Sequence, residues 1–288
     1  MRIGNAFGPW GKLVLGTLGL ICLLTSPALA ATENNAAADK FSLSLGFEFA
    51  SGDYGTDQTT DSYRIPLTID YTPTPRLGFE LVIPYLHQSN GATVSLGGMR
   101  FSMRNSGSGS GSGMGMGSGS STSSSSASQS GLGDITLTTG YALVTETTET
   151  PQVRALVYAK FPTADEDKGL GTGAFDIGGG FSLAKDFGHW STYAEALYIL
   201  PGSSSSYDPN NYWSYQASAD YHLTRQLSYG FGLTGATAAF DGSKDALEAQ
   251  LKVDYWTSRH QSFGGYLAKG LSDGSADYGV GVYGAISF

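Results

Sequence analysis

The chain carries a single cysteine, Cys22, in 288 residues. It lies in a leader-like segment, so the chain beyond it can form no disulfide. Stability there has to come from backbone pairing and packing. Long apolar runs are also missing. Beyond residue 30 nothing approaches the roughly 18 consecutive apolar residues of a membrane helix, and the mean hydropathy is −0.12. A helical membrane protein is therefore excluded. Positive charge is short too: of 16 Lys and Arg, Arg2 and Lys12 fall in the leader, leaving 16 − 2 = 14 bases against 25 acids, a net charge of −11. That balance argues against nucleic acid as a partner. Catalytic signatures are sparse: there is no H-E-x-x-H zinc motif and no P-loop. The four histidines, His87, His189, His222 and His260, single out no serine partner. The reading is a non-enzyme with no catalytic, cofactor-binding or metal-ligating residues and no cofactor.

What is present begins with the leader. Arg2 and Lys12 precede an apolar run from Leu13 to Leu24, followed by Ser26-Pro-Ala-Leu-Ala30. This pattern predicts a secretory signal peptide over residues 1–30, cut after Ala30. The run is too short to span a bilayer as a helix. Ile21 is too bulky for the small residue that precedes a lipidated cysteine.

Residues 31–288 read as one all-β domain. With 41 Gly and 17 Tyr, they suggest short strands, tight turns and aromatic ends. The final stretch alternates Tyr278, Val280, Val282, Gly284, Ile286 and Phe288 with small or polar residues. A wall strand with lipid on one side and lumen on the other has this period of two; Gly284 departs from the usual bulky outward residue. The chain-terminal aromatic, Phe288, resembles the assembly signal of bacterial outer-membrane barrels. That resemblance implies the barrel-assembly machinery as a partner. Twelve candidate strands follow from the same period: about 40–50, 61–72, 76–87, 132–145, 152–161, 175–185, 190–200, 212–223, 226–239, 245–256, 261–270 and 277–288. Even-numbered connectors are short, such as Thr72-Pro-Thr-Pro-Arg76 and Phe187-Gly-His189, whereas 51–60, 88–131, 162–174 and 201–211 are longer. Short periplasmic turns alternating with longer external loops define a transmembrane antiparallel β-barrel of about 12 strands in the bacterial outer membrane.

The faces agree. Tyr63, Ile65, Leu67, Ile69 and Tyr71 alternate with Arg64, Pro66, Thr68 and Asp70; Leu247, Ala249, Leu251, Val253 and Tyr255 alternate with Glu248, Gln250, Lys252 and Asp254. A charge facing lipid near the midplane costs about 2–4 kcal/mol, so the charged face is the lumen. Predicted lumen-lining residues are Glu48, Asp70, Glu80, Asp176, Glu195, Asp220, Glu248 and Asp254, with Arg64, Arg154, Lys160 and Lys252. Tyr63 and Tyr71 are eight residues apart on the outward face, as are Trp213 and Tyr221. Eight tilted steps rise about 20 Å, close to the height of an apolar belt, so these pairs read as aromatic girdles.

One connector is unusual. Residues 106–130 are almost entirely Ser and Gly, a composition that cannot offset its own ordering entropy. A disordered external loop is expected at about 105–131. Met99, Met103, Met114 and Met116 all lie in this connector; they read as part of a drifting repeat rather than a copper site.

Four short motifs occur in order: Gly131-Leu-Gly-Asp134, Lys160-Phe-Pro-Thr-Ala-Asp165, Gly169-Leu-Gly-Thr-Gly173 before Phe175-Asp176, and Gly270-Leu-Ser-Asp-Gly-Ser-Ala-Asp277. Together they resemble the outer-membrane family named for the MetA pathway of phenol degradation, over roughly residues 40–288. The resemblance implies outer-membrane passage of small, often aromatic, molecules. Read from the residues alone, Asp134 and Asp176 pin loops or bind a cation near the external rim. The expected function is a channel or transporter for a small solute, possibly aromatic or hydrophobic, in a lipid bilayer. The alternative is a structural or surface-binding outer-membrane protein acting through its loops, with an outer-membrane hydrolase a distant third.

Overall fold

In the computed structural model the described residues are 39–102 and 127–288. The expected leader and most of the Ser/Gly/Met tract lie outside them. Among the described residues fifteen strands occur: β1 Phe41–Gly52, β2 Thr60–Tyr71, β3 Leu77–Gln88, β4 Thr93–Leu96, β5 Met99–Ser102, β6 Gln129–Leu132, β7 Ile135–Val144, β8 Gln152–Phe161, β9 Asp176–Asp186, β10 Trp190–Leu200, β11 Tyr212–His222, β12 Leu227–Ala236, β13 Ala246–Trp256, β14 Gln261–Gly270 and β15 Tyr278–Ser287. Each wall strand pairs antiparallel with its sequence neighbours, and β1 pairs both β2 and β15, so the sheet closes on itself. Because β6 and β7 both pair with β3, they form one wall strand. The result is a closed antiparallel barrel of twelve strands.

The join between β6 and β7 is a bulge. Tyr85 pairs with Leu132 and Val82 with Thr136, so three steps on β3 match four on its neighbour. The extra residue breaks the alternation between outward Leu132 and Ile135 and leaves Gly133 and Asp134 between them. The predicted tract boundary shifts here: Gln129, Ser130 and Gly131 belong to the wall, paired with Gln88, His87 and Leu86.

Alternation sorts the wall into two surfaces. Leu251 and Leu267 are each 64% exposed, Phe181 59% and Val282 56%, while their strand neighbours Lys252, Ala268, Ser182 and Tyr283 are buried. Apolar residues outside and polar ones inside invert a soluble core; lipid is the solvent that permits it. Aromatic rings cluster at both ends of the belt. At one end Phe41 stacks on Tyr71 at 4.4 Å and Trp190 meets Tyr221 at 5.1 Å; at the other Phe49 meets Tyr63 at 5.0 Å and Tyr198 meets Trp213 at 5.0 Å. Gly284 leaves room for its cross-strand partner, since a side-chain carbon there would stand 3.2 Å from the Phe263 ring. Barrel closure is reinforced at Phe288, whose carbonyl accepts the Phe41 N–H at 3.0 Å and whose N–H donates to the Phe41 carbonyl at 2.9 Å.

The connector after β3 departs most from its reading as an external loop. Residues 93–102 form a two-stranded hairpin, β4–β5, turned by Gly97 and Gly98 with φ of 58° and 92°. Two consecutive positive φ values are what a tight two-residue hairpin needs. Every one of its strand residues but Arg100 is buried. Its Leu96, Met99 and Phe101 cluster with Leu156 and Tyr158 of β8, Leu197 and Ile199 of β10, and Tyr212 of β11. Those wall residues alternate with lipid-facing ones, so the hairpin lies inside the barrel.

Candidate functional site

The interior is the candidate site, built in tiers from the external rim to the periplasmic end. At the external rim Lys160, fully buried, lies 3.1 Å from Asp134 and 3.0 Å from Asp176, and donates to the Thr172 hydroxyl at 2.6 Å. The free carboxylate oxygens hold loops: Asp134 accepts the Ala164 N–H at 3.1 Å and Asp176 the Gly202 N–H at 3.1 Å. Three segments that sequence order keeps apart, each from one of the four motifs, thus meet at one ammonium group. The bulge at Gly133 is what turns Asp134 toward it.

Below this rim lies the hairpin, tied on one side by the Ser95 N–H to the Gly169 carbonyl at 3.1 Å. Its other side faces a cavity of about 50 Å³ bounded by β1, β2, β3 and β13, with Glu48, Arg64, Arg100 and Glu248 in its lining. Arg64 and Glu48 pair at 3.2 Å. Arg100 donates through Nη1 to the Gln88 side-chain oxygen and, at 3.3 Å, to the Thr93 hydroxyl. Burial pushes the Arg100 guanidinium below its ordinary pKa, with the Arg64 charge adding to that and Tyr54 opposing it. Burial likewise raises the Tyr54 phenol, at the β1–β2 loop, while the Arg100 charge lowers it.

In the middle tier Tyr193 donates to Glu195. Nearer the periplasmic end Asp70 stands directly across from Glu80 on adjacent strands. Arg154, buried, donates to the Arg76 carbonyl at 3.4 Å. Toward the periplasmic end Lys252 meets Asp220 at 2.8 Å, and the Tyr283 hydroxyl donates to Asp254. Of the twelve charged residues expected at the lumen, Glu48, Glu80, Arg154, Lys160, Asp176, Glu195, Asp220, Lys252 and Asp254 are buried, and Arg64, Asp70 and Glu248 are half-buried. Sequence reasoning gave no role to Arg100, although Gly97-Gly98 between two apolar pairs is a hairpin signal that could have placed it.

Two arrangements touch the hydrolase reading. Ser191 Oγ donates to Asp186 at 2.5 Å and lies 2.8 Å from His222 Nε2. A nucleophilic serine needs its proton directed at the imidazole and the carboxylate behind the ring; here the carboxylate takes the hydroxyl proton. Gly270-Leu-Ser-Asp-Gly274 has the lettering of a G-x-S-x-G elbow, but Ser272 lies in a turn between two strands, donating to the Asp245 carbonyl at 2.8 Å. The elbow requires a strand-to-helix turn. His87 faces outward, its ring 5.7 Å from Tyr63.

A closed barrel with an apolar aromatic-rimmed belt, polar inner wall and alternating short and long connectors is a bacterial outer-membrane β-barrel. A family model described as "Putative MetA-pathway of phenol degradation" matches residues 72–288, and the chain belongs to that family. Among solved structures, the fold is similar to an outer-membrane channel from Pseudomonas putida F1, at 15% identity and a TM-score of 0.63, covering 96% of this chain and 100% of that one. It is also similar to the KdgM porin in complex with disordered oligogalacturonate, at 7% identity and a TM-score of 0.50, covering 86% and 99%. At these identities the likeness is one of fold. No curated protein matches in sequence.

Proposed function

We propose that the protein is a channel that passes a small solute, aromatic or hydrophobic in character, across the outer membrane without chemically altering it. The observation that carries this reading is the apolar stretch of inner wall. Leu156, Tyr158, Leu197, Ile199 and Tyr212 are inward-facing yet apolar or aromatic, in a barrel whose remaining inward positions are largely polar. The hairpin's Leu96, Met99 and Phe101 cover this surface, so in this reading a solute reaches it where the hairpin moves aside; an aqueous ion pore gains nothing from such a surface, whereas an apolar solute loses little on leaving water for it. Similarity to an outer-membrane channel supports the reading at the level of fold. Phe288, whose backbone closes the last strand onto the first, serves in this reading as the signal for the barrel-assembly machinery.

The test is single-channel recording of the refolded mature protein in planar bilayers, with an aromatic acid and a sugar as blocking solutes. Discrete steps blocked by the aromatic compound alone are expected. A correctly refolded barrel that gives no steps overturns the channel reading and moves the function to the external loops; deleting residues 106–130 would then abolish surface binding.

The inner wall also sets charge selectivity. Of the twelve residues assigned to the lumen, eight are acids and four are bases, an excess of four negative charges. Arg100 and Asp134 add one of each and leave that excess unchanged. Lys160, Lys252 and Arg64 are each held by acids, so the surplus is carboxylate. Residual ionic current is therefore expected to prefer cations. A reversal potential under a salt gradient checks this, and anion preference would refute it.

A further inference from the structure

The cavity beside the hairpin has the makings of a receptor that the channel reading does not use. Arg100 spends only Nη1 on the protein, on two neutral oxygens, those of Gln88 and Thr93. Among the described residues no carboxylate neutralises it. Arg100 lines the cavity, and among the described residues Nη2 and Nε make no hydrogen bond; an edge of a guanidinium held in place by its other nitrogen is a fork ready for two oxygens of one anion. Arg64, also in the lining, adds positive potential although its pair with Glu48 consumes part of it.

Across the same cavity stands an independent vacancy of the opposite kind. Glu248 accepts the Ala276 N–H at 3.3 Å through Oε1, while its Oε2 is buried and, among the described residues, without a hydrogen-bond partner. A buried acceptor left unmade costs free energy, so a donor brought to Oε2 would recover it. The cavity thus offers an anion fork at one wall and an unmet acceptor at another.

We propose that this cavity binds a small hydroxycarboxylate: its carboxylate sits on the free edge of Arg100 and its hydroxyl donates to Glu248 Oε2. Size restricts the ligand further. About 50 Å³ corresponds to roughly four water positions at about 10–15 Å³ each, the bulk of a two- or three-carbon acid such as glycolate. An aromatic acid is too large, which separates this site from the solute path along the apolar wall. The bound acid would join the hairpin, through Arg100, to the β13 wall through Glu248.

The experiment is calorimetric titration of the refolded full-length mature barrel in detergent, in chloride-poor buffer, with four probes: glycolate, acetate, glycolamide and benzoate. Glycolate is expected to bind saturably, acetate more weakly, and glycolamide and benzoate not at all. Arg100→Met is expected to weaken glycolate by about thirtyfold or more, as loss of one partner of a desolvated charge pair does. Glu248→Gln is expected to retain acetate affinity while losing the preference for glycolate over acetate. Equal binding of glycolate and its neutral amide by the unaltered protein would overturn the proposal, as would the absence of saturable glycolate binding; neither result depends on a variant folding. A preference for benzoate would also overturn it, because the anion would then be held along the solute path.

Discussion

Replacing residues 93–102 by a short Gly/Ser linker is expected to raise single-channel conductance severalfold and to make it steady. Twelve strands about 4.8 Å apart and tilted by about 40° give a backbone radius of about 12 Å. Inward side chains take up roughly half of that radius. What remains is close to the cross-section of a two-stranded ribbon with its side chains, and that is what occupies it: the hairpin touches β8, β10 and β11 through Leu96, Met99 and Phe101 and faces β1, β2 and β13 through Ser95 and Arg100. Among the described residues the hairpin is therefore the element that narrows the lumen most. Phe101→Ala tests the same idea without changing loop length. Phe101 packs edge-on to Tyr212 at 5.7 Å and to Phe240 at 6.2 Å, and truncating a buried Phe costs about 3–5 kcal/mol. Such a loss is expected to unseat the hairpin intermittently, giving a flickering conductance between the intact and excised levels. An excised variant with unchanged conductance would show that the constriction lies elsewhere, with the paired charges of the periplasmic half as the remaining candidate.

The wall was legible because its physics is local. A strand between lipid and lumen needs one apolar and one tolerant face, so the period of two runs through Leu247 to Tyr255 and Tyr278 to Phe288 without help from tertiary structure. Connector lengths then ordered the strands. The bulge was not legible, since one extra residue at Gly133–Asp134 changes no composition and shows only against the register of β3. The hairpin was missed for a different reason. It sits beside the Ser/Gly tract, and its ten residues were read with that tract as one external connector. Val94, Leu96, Met99 and Phe101 are apolar because they face other side chains within the lumen, an environment that an external loop does not have. The ion cluster was half legible: Asp134 and Asp176 were read as loop anchors or cation ligands, and Lys160 as lumen lining. That all three share one contact depends on three-dimensional closure that no spacing in the chain expresses.

Lys160→Met is expected to destabilise the folded barrel by about 3–5 kcal/mol, the cost of leaving buried charges without their partner. The estimate needs no discount for solvent, because Lys160 and Asp176 side chains are wholly inaccessible and Asp134 is nearly so. The side-chain volume is kept, so the loss is electrostatic rather than a cavity. Asp134 and Asp176 also hold the Ala164 and Gly202 N–H groups, and two carboxylates facing one another cannot both stay charged and in place. The loops 162–175 and 201–211 are therefore expected to become sensitive to protease while the wall strands stay protected. Urea unfolding in detergent micelles measures the first effect and limited proteolysis of intact cells the second. The decisive comparison is the triple variant Lys160→Met, Asp134→Asn, Asp176→Asn. An amide oxygen can still accept the two loop N–H groups, and no charge is left buried, so most of the stability and the loop protection should return. If the triple variant is no more stable than Lys160→Met alone, the ammonium acts by packing and by its bond to Thr172, not by neutralising the two carboxylates. Recovery would instead show that charge balance at this one buried point, assembled from three separate sequence motifs, is what fastens the external loops to the barrel.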